Sequence, residues 1–183
     1  MMNIMEAIRE RRSIRRFTDE YVSDEQVRQL LDAVRWAPSW ANSQCWEVIV
    51  VRDNDVKLQL QEILSPKNPA GPAMTQASVI FVMAAEAKKS GWYKGLLVTK
   101  FNEWFMYDLG IATQNICMAA HGLGLGSVVV GLFDHERAGK ILGVPEGYDV
   151  VSMIPVGYPD HAPSAPKRRE IDEFAHFDKF NGK

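Results

Sequence analysis

The sequence has few residues that could cross-link it or bind a metal. Of its 183 residues only two are cysteines, Cys45 and Cys117, and they lie far apart in unrelated contexts. This scarcity excludes a disulfide framework and a cysteine-based zinc site. The four histidines have no ligand spacing, so we expect no bound metal. Because isolated cysteines are typical of a reducing compartment, we predict a cytoplasmic location.

The sequence also lacks long apolar runs and any large excess of one charge. No stretch reaches the about 18 apolar residues of a transmembrane helix, and the first residues lack the apolar centre of a signal peptide. The formal net charge of −2 argues against a nucleic-acid-binding domain, which would be strongly basic. A 183-residue chain that is 46% hydrophobic is long enough for one domain with a sizeable core. We therefore predict a single domain over residues 1–183.

Positive charge is concentrated in two short segments. The first is Arg11-Arg12-Ser13-Ile14-Arg15-Arg16, and the second is Lys167-Arg168-Arg169. Guanidinium groups and a hydroxyl can bind a phosphate through several charge-assisted hydrogen bonds. Taken alone, the first segment fits a phosphate site and a solvated basic face equally well. The second segment lies in a proline-rich stretch, 158–183, that we predict to be an extended arm lying along another surface.

Hydrophobic periodicity and capping patterns predict an alternation of helices and strands. Asn3 with Glu6, and Ser23 with Gln26, have the spacing of capping boxes at helix starts. Apolar spacing, β-branched runs and proline positions then give the boundaries of the other elements. We predict helices over 3–10, 23–37, 56–64, 99–121 and 134–142, strands over 48–51, 78–85, 127–130 and 150–157, a loop over 65–75 and an exposed connection over 87–95. Pro155 predicts an edge position for its end of the last strand.

Two segments in the second half have alternative interpretations. The predicted helix 99–121 is apolar around most of its circumference, which fits either the centre of the domain or a subunit interface. The glycines of Gly122-Leu123-Gly124-Leu125-Gly126 look like a dinucleotide-binding loop. That loop, however, follows a strand and opens a helix, whereas this one follows a helix and opens a strand. We therefore interpret Gly122 as a helix C-cap and the other glycines as a tight turn.

A polar loop precedes the first strand and completes a recognisable set of segments. It reads Pro38-Ser39-x-x-Asn42-x-Gln44-x-Trp46 and fits either a pocket rim or ordinary turn chemistry. Together with Arg11-Arg12-Ser13-x-Arg15 and Lys167-x-Arg169, in this order and spacing, it closely resembles the FMN-dependent nitroreductase family. The resemblance covers nearly the full chain. It implies an α+β fold with a mixed, largely antiparallel sheet flanked by helices, built as an intertwined homodimer with FMN at the interface.

The resemblance also implies roles for individual residues. Arg11 and Ser13, with Lys167 and Arg169, would bind the FMN phosphate, and Arg15 would reach the N1/C2=O edge of the flavin. The loop residues Pro38, Ser39 and Asn42 would come from the other subunit, Gln44 would lie near the ring, and the 128–131 backbone would place an N–H near N5. The full set of predicted cofactor-binding residues is Arg11, Arg12, Ser13, Arg15, Pro38, Ser39, Trp40, Asn42, Gln44, Val129, Val130, Gly131, Lys167 and Arg169.

The implied function is an oxidoreductase in which NADH or NADPH reduces FMN by hydride transfer to N5. The reduced flavin then passes electrons to nitroaromatics, quinones or similar small electrophiles, and no side chain is predicted to be catalytic. The alternative is a non-catalytic flavin-binding or storage protein of the same fold. Cys45 stands where the family usually has proline, and its thiol is either redox-active or a packing residue. Residues 129–132 lack an acidic side chain that some members carry, so only a backbone contact is expected there.

Overall fold

The computed structural model describes residues 3–180 and has an α+β fold. Its helices are α1 (Ile4–Glu10), α2 (Asp24–Arg35), α3 (Asn54–Glu62), α4 (Gly71–Gln76), α5 (Phe105–Gly122) and α6 (His135–Leu142). Its strands are β1 (Trp46–Val51), β2 (Val79–Glu86), β3 (Trp92–Tyr93), β4 (Leu96–Leu97), β5 (Gly126–Ser127) and β6 (Tyr148–Gly157). Short 3-10 turns occur at Trp40–Asn42 and Ile171–Glu173. The predicted fold class is confirmed.

The main sheet has the strand order β1-β2-β6-β5, and its paired strands are antiparallel. A parallel bridge between Ser13 and Ser127 extends the β5 edge, so the sheet is mixed but largely antiparallel. Helices cover both faces. Since both faces are covered, β2 is buried at every residue from Val79 to Ala85, which explains its uninterrupted apolar sequence.

Alternate residues of β2 enter two separate hydrophobic cores. Phe81 and Met83 pack with α2 and α5, whereas Ile80 and Val82 pack with α3, α4 and α6. This is the two-residue period of a strand with both faces covered. The sheet is therefore a rigid support for whatever lies along its β5 edge.

The helix starts predicted from capping boxes are confirmed. The Asn3 side chain accepts a hydrogen bond from the Met5 N–H at 2.8 Å, and Glu6 accepts from the Asn3 N–H at 3.2 Å. Ser23 and Gln26 make the equivalent reciprocal pair at 3.1 and 2.9 Å. The end of α1 thus leads directly into the basic segment.

Three predicted boundaries are wrong. The segment 65–75 contains helix α4, which begins at Gly71 and carries Pro72 in its first turn, where the missing proline N–H has no helical partner to lose. Helix α5 begins at Phe105 instead of residue 99, because the Trp104 N–H donates to the Ser90 carbonyl and Thr99 bonds the Phe101 carbonyl. The connection 87–95 includes half of the β3–β4 hairpin.

The end of β6 near Pro155 is not an edge, because β5 pairs with β6 there. The Pro155 carbonyl accepts from the Val128 N–H at 3.4 Å, so the missing proline N–H falls on the β5 side. Regular pairing of the predicted strand 127–130 therefore stops after Ser127. It resumes as a single bridge between Val130 and Met153.

Gly122, predicted to be the C-cap, is the last residue of α5, and the left-handed residue that follows the helix is Gly124, with φ +76°. The Leu125 N–H donates to the Ala120 carbonyl at 2.8 Å, and the Gly124 N–H donates to the His121 carbonyl at 3.1 Å. This pair of bonds is a Schellman motif, in which glycine occupies the strained position. The glycine-rich segment is a helix stop that leads into β5, as its position in the chain indicated.

Past Gly157 the described chain contains no regular helix or strand apart from the 3-10 turn Ile171–Glu173 and a single bridge of Pro159 with Phe17, and residues 164–174 are exposed. The last three residues of the predicted arm lie outside the described residues. No helix within residues 3–180 is long and apolar enough to cross a membrane.

Candidate functional site

The basic segment lies against the β5 edge of the main sheet. Ser13 bridges Ser127, and the Ile14 N–H donates to the Ser127 carbonyl at 2.9 Å. Ile14 is buried in the core. Because neighbouring residues of an extended segment point in opposite directions, Ser13 and Arg15 share the side opposite to Ile14. The burial of Ile14 thus fixes the register of the basic residues around it.

Arg15 lines a cleft of about 300 Å³ together with the chain from Val128 to Leu132. Its Nε is buried and has no hydrogen-bond partner within residues 3–180, and its Nη1 makes only a 3.5 Å contact with the Ser13 carbonyl. A buried donor without an acceptor is costly. The cleft therefore presents a cation with unused donors beside an exposed backbone edge.

The structure brings Arg15, Val129, Val130 and Gly131 together in this cleft, as predicted residues of one site. Their backbone N–H groups, however, face in different directions. Val128 and Val130 donate their N–H groups to carbonyls of β6, and the Val130 side chain is buried. Since backbone groups alternate along an extended chain, the N–H groups of Val129 and Gly131 face away from β6.

Lys67 and Asn68 line the same cleft, although the sequence analysis did not select them. The Asn68 side chain donates to the Leu132 carbonyl at 3.1 Å and ties its loop to the cleft wall. These residues lie in a proline-rich loop without periodicity. The one signal for them was that loops next to rigid elements often carry functional groups.

Arg11 and Arg12 line a second cleft, of about 460 Å³, with Glu10, His121 and His161. One nitrogen of the Arg12 guanidinium is already hydrogen-bonded, because its Nη1 donates to the Arg9 carbonyl at 2.6 Å and the Arg11 carbonyl at 3.0 Å. His121 Nε2 and His161 Nδ1 are buried without a partner in the described part of the chain. Forty residues separate these histidines in the sequence, so their spacing gave no signal.

Lys167 and Arg169 are exposed and line neither of these two clefts. Arg169 instead donates to the Glu173 carbonyl, and its guanidinium lies 5.7 Å from the Phe174 ring centroid. Both contacts are within the arm. The convergence of the arm with Arg11 and Ser13 on one phosphate therefore stays a prediction.

The loop 38–44 is also absent from the lining of both clefts, and it is held by a buried carboxylate. Pro38, Asn42 and Gln44 are exposed, whereas Ser39 and Trp40 are half-buried. Asp108 of α5 is 1% exposed and accepts a hydrogen bond from the Trp40 N–H at 3.0 Å. Asp108 is the single acidic residue of a mostly apolar helix, and no sequence pattern marks it as functional.

Cys45 is a packing residue and a weak donor. Its side chain is buried, and its thiol lies 3.6 Å from Asp108 Oδ2. Burial, and next the negative charge of Asp108, raise the pKa of Cys45 from 9.0 to about 11. Since the thiolate is the reactive form, this environment disfavours redox chemistry at neutral pH.

The chemistry of these clefts fits an anionic, partly planar ligand better than a metal. Within residues 3–180, no group of three or more His, Cys, Asp or Glu side chains is placed to hold a metal ion. The two clefts instead offer guanidinium groups, imidazole nitrogens and an exposed backbone edge. The guanidinium and backbone N–H groups among them are donors, and donors bind phosphates and the carbonyl edges of aromatic heterocycles.

Comparison with known proteins agrees with this description. A model of the nitroreductase family matches residues 8–158. A protein of Archaeoglobus fulgidus, provisionally named NADH dehydrogenase/NAD(P)H nitroreductase, is 34% identical over 99% of this chain and 95% of its own. The FMN reductase [NAD(P)H] of Bacillus subtilis is 27% identical over 91% of this chain and 70% of its own. The crystal structure of a nitroreductase family protein from Clostridium novyi NT has a TM-score of 0.79, 26% identity, and coverage of 98% of this chain and 95% of that one.

Proposed function

The chain belongs to the nitroreductase family, and we propose that it is an FMN-dependent oxidoreductase that takes electrons from NADH or NADPH. Its acceptors are nitroaromatics, quinones or similar small electrophiles. The observation that carries this proposal is the cleft in which Arg15, with a buried and unpaired Nε, lies beside the free backbone edge of Val129 and Gly131. The FMN reductase name of the Bacillus subtilis relative supports the cofactor and the electron donor.

The residues of the Arg15 cleft fit the ring system of FMN. A flavin presents carbonyl and nitrogen acceptors along its pyrimidine edge, and Arg15 supplies donors and a positive charge. Lys67 and Asn68 line the same cleft and add polar groups. The outward N–H groups of Val129 and Gly131 provide donors for a ring nitrogen.

The phosphate of FMN fits the other end of the basic segment. Arg11 lines the second cleft, and Ser13 lies between Arg11 and Arg15 along the same extended chain. A flavin mononucleotide placed along this segment would have its ring at Arg15 and its phosphate near Arg11. The arm would add Lys167 and Arg169, as the family resemblance implies.

Bound FMN supplies the redox chemistry by accepting and donating a pair of electrons at its ring. The protein binds and orients it, and no side chain is assigned as catalytic. Arg15 would stabilise negative charge on the bound ring, because a fixed cation in a partly buried site interacts strongly with charge that develops there.

We propose a homodimer for this protein. One face of α5 is exposed and carries large apolar side chains, with Met106 57% exposed and Tyr107 63% exposed. Ile171, Phe174 and Phe177 of the arm are also exposed. Apolar surface of this extent is typical of a subunit interface. In this dimer, Ser39 and Asn42 of one subunit reach the flavin of the other. We place the protein in the cytoplasm, where NADH and NADPH are available.

The test begins with the absorption spectrum of the purified protein and chromatography of the flavin released by heat. FMN, in place of FAD, is expected because the site offers a terminal phosphate cradle. Steady-state oxidation of NADH and NADPH is then measured with a nitroaromatic and a quinone as acceptors. Parallel double-reciprocal lines are expected, because donor and acceptor use one cleft in turn. Bound FMN without turnover would support the storage alternative, and no bound flavin after reconstitution would overturn the proposal.

A further inference from the structure

Asp108 is a buried carboxylate that joins two separate segments of the chain. Its Oδ1 accepts the Trp40 N–H at 3.0 Å. Its Oδ2 accepts from the Ser90 hydroxyl at 2.6 Å, the Ser43 hydroxyl at 3.3 Å and the Cys45 thiol at 3.6 Å. Three of these four donors belong to the 39–45 segment, and Ser90 precedes the β3–β4 hairpin.

These donors are neutral, and none of the salt bridges among residues 3–180 includes Asp108. A carboxylate that is 1% exposed loses most of its hydration, and this cost must be offset by hydrogen bonds. Replacing Asp108 with an apolar residue would leave its donors unpaired, which is costly. Most of these donors come from one loop, so the hydrogen bonds of Asp108 support the conformation of that loop.

The backbone of the loop needs such support. Ala41, Asn42 and Gln44 have φ values of 46°, 55° and 45°, in the left-handed region that is unfavourable for residues with a Cβ. The Gln44 N–H donates to the Ser39 hydroxyl at 3.0 Å, which closes the loop on itself. Asp108 holds the loop from within at Trp40 and Ser43. The strained conformation thus depends on contacts that meet at one carboxylate.

We propose that Asp108 is a positioning residue of the flavin site. It fixes the shape in which the loop presents Ser39 and Asn42 to the flavin of the partner subunit. This inference rests on the proposed function, since the loop acts on a flavin only in the FMN-binding dimer. Because Asp108 itself is only 1% exposed, it would act on the flavin through the loop and not by direct contact.

The test compares D108N, S43A and S90A in the full-length protein. D108N keeps the size of the side chain but replaces one acceptor oxygen with a donor. S43A removes one donor that lies in the loop and retains the carboxylate. S90A is the matched control, because it removes the shortest hydrogen bond to the same oxygen from a residue outside the loop.

The first readout is hydrogen exchange of the loop amides in protein freed of flavin. D108N should speed exchange of the Trp40 and Gln44 amides by roughly tenfold or more, and S43A should do so to a smaller extent. S90A should leave these amides close to wild type while lowering the melting temperature. Loop exchange that is unchanged in both D108N and S43A would overturn the proposal. If D108N does not fold, the comparison of loop amide exchange in S43A and S90A still tests the proposal.

The second readout is the dissociation constant of FMN together with the visible circular dichroism of the bound flavin. D108N should weaken FMN binding by roughly tenfold or more and alter the dichroism, whereas S90A should change neither. Equal FMN affinities in D108N and S90A, despite faster loop exchange in D108N, would overturn the positioning role. A wild-type protein that binds no flavin would overturn the proposed function instead, while the exchange measurement would still report whether Asp108 holds the loop.

Discussion

Gly126 lies so close to Ile14 that a Cβ built on the glycine would stand 2.7 Å from the Ile14 Cβ. Real Cβ atoms do not approach one another so closely, so the two chains can adopt this spacing only if position 126 is glycine. This contact places the basic segment against β5. It connects the glycine-rich segment, which is a helix stop and not a dinucleotide loop, with the position of Arg11, Ser13 and Arg15.

The first prediction is that G126A destabilises the protein and weakens FMN binding together. Overpacking of a core contact typically costs about 1–3 kcal/mol, and here it would displace the segment that carries the basic residues. Denaturant unfolding and a flavin titration measure the two effects. The matched control is G122A in the last turn of α5, where an added Cβ meets nothing within 4 Å. If G126A and G122A behave alike, the close approach of Ile14 does not position the site.

The second prediction is that R15Q lowers both the FMN affinity and the midpoint potential of the bound flavin. The affinity should fall by roughly tenfold, because a charged hydrogen bond is worth about 1.5–3 kcal/mol. The potential should become more negative, because the reduced ring loses its neighbouring positive charge. Flavin titration and potentiometry measure these changes. R16Q is the control, since Arg16 is exposed and, by the alternation of an extended segment, is expected on the side opposite to Arg15. Equal shifts in both variants would contradict the register set by Ile14.

The third prediction concerns the arm, where R169A should weaken FMN binding more than R168A. Alternate residues of an extended segment face opposite sides, so Lys167 and Arg169 share a side that Arg168 does not. The contacts of Arg169 within the arm, to the Glu173 carbonyl and the Phe174 ring, are exposed and weak enough to exchange for a phosphate. Titration of each variant with FMN gives the comparison. Similar losses in the two variants would show that the arm binds in another register.

The sequence predicted the elements that depend on local patterns and failed where distant segments meet. The capping boxes at Asn3 and Ser23 and the buried strand β2 were predictable, because caps and apolar runs are local. The start of α5 depends on a hydrogen bond to the Ser90 carbonyl. The end of β6 near Pro155 is not an edge because β5 pairs with it. Those contacts are set by the tertiary fold, which outweighs local propensity.

The candidate site shows the same division. Arg15 and the 128–131 segment were predictable from the family pattern, and they do lie in one cleft. His121 and His161 belong to different elements, and only the fold brings them beside Arg11. No sequence pattern predicted a role for Asp108. The role of a single carboxylate in a mostly apolar helix depends on the hydrogen-bond donors that the fold places around it.

The fourth prediction is that Cys45 makes the stability of the folded protein fall at high pH. Its folded-state pKa is about 11 against 9.0 for an unperturbed thiol, so the folded protein keeps a proton that the unfolded chain releases. The stabilising contribution is complete below about pH 9 and is lost as the pH rises through about 11. Two pKa units correspond to about 2–3 kcal/mol. The unfolding free energies of wild type and C45A are measured from about pH 8 to about pH 11. The two proteins should show the same pH dependence below about pH 9, and above it the wild type should lose stability more steeply than C45A. A parallel decline of both proteins at higher pH would contradict the prediction.

The fifth prediction is that the protein is an obligate homodimer whose monomer does not hold FMN. Y107D places a charge on the exposed face of α5, where burial in an interface would leave the carboxylate unpaired at a cost of several kcal/mol. We expect Y107D to dissociate and to lose flavin at the same protein concentration. The control is L58D, which places the same charge at a residue of α3 that is 49% exposed and outside the proposed interface.

Loss of flavin should follow dissociation because the proposed site takes residues from both subunits. In that site Arg11 and Arg15 would belong to one subunit and Ser39 and Asn42 to the other, so separation would remove part of the contacts to the ring and the ribityl chain. Sedimentation velocity recorded in parallel at the protein and the flavin absorbance bands measures mass and cofactor in one experiment. Wild type and L58D should sediment as flavin-loaded dimers, and Y107D as a colourless monomer. A flavin-loaded species of 20.6 kDa would show that one subunit holds FMN alone, and the shared site would then be wrong.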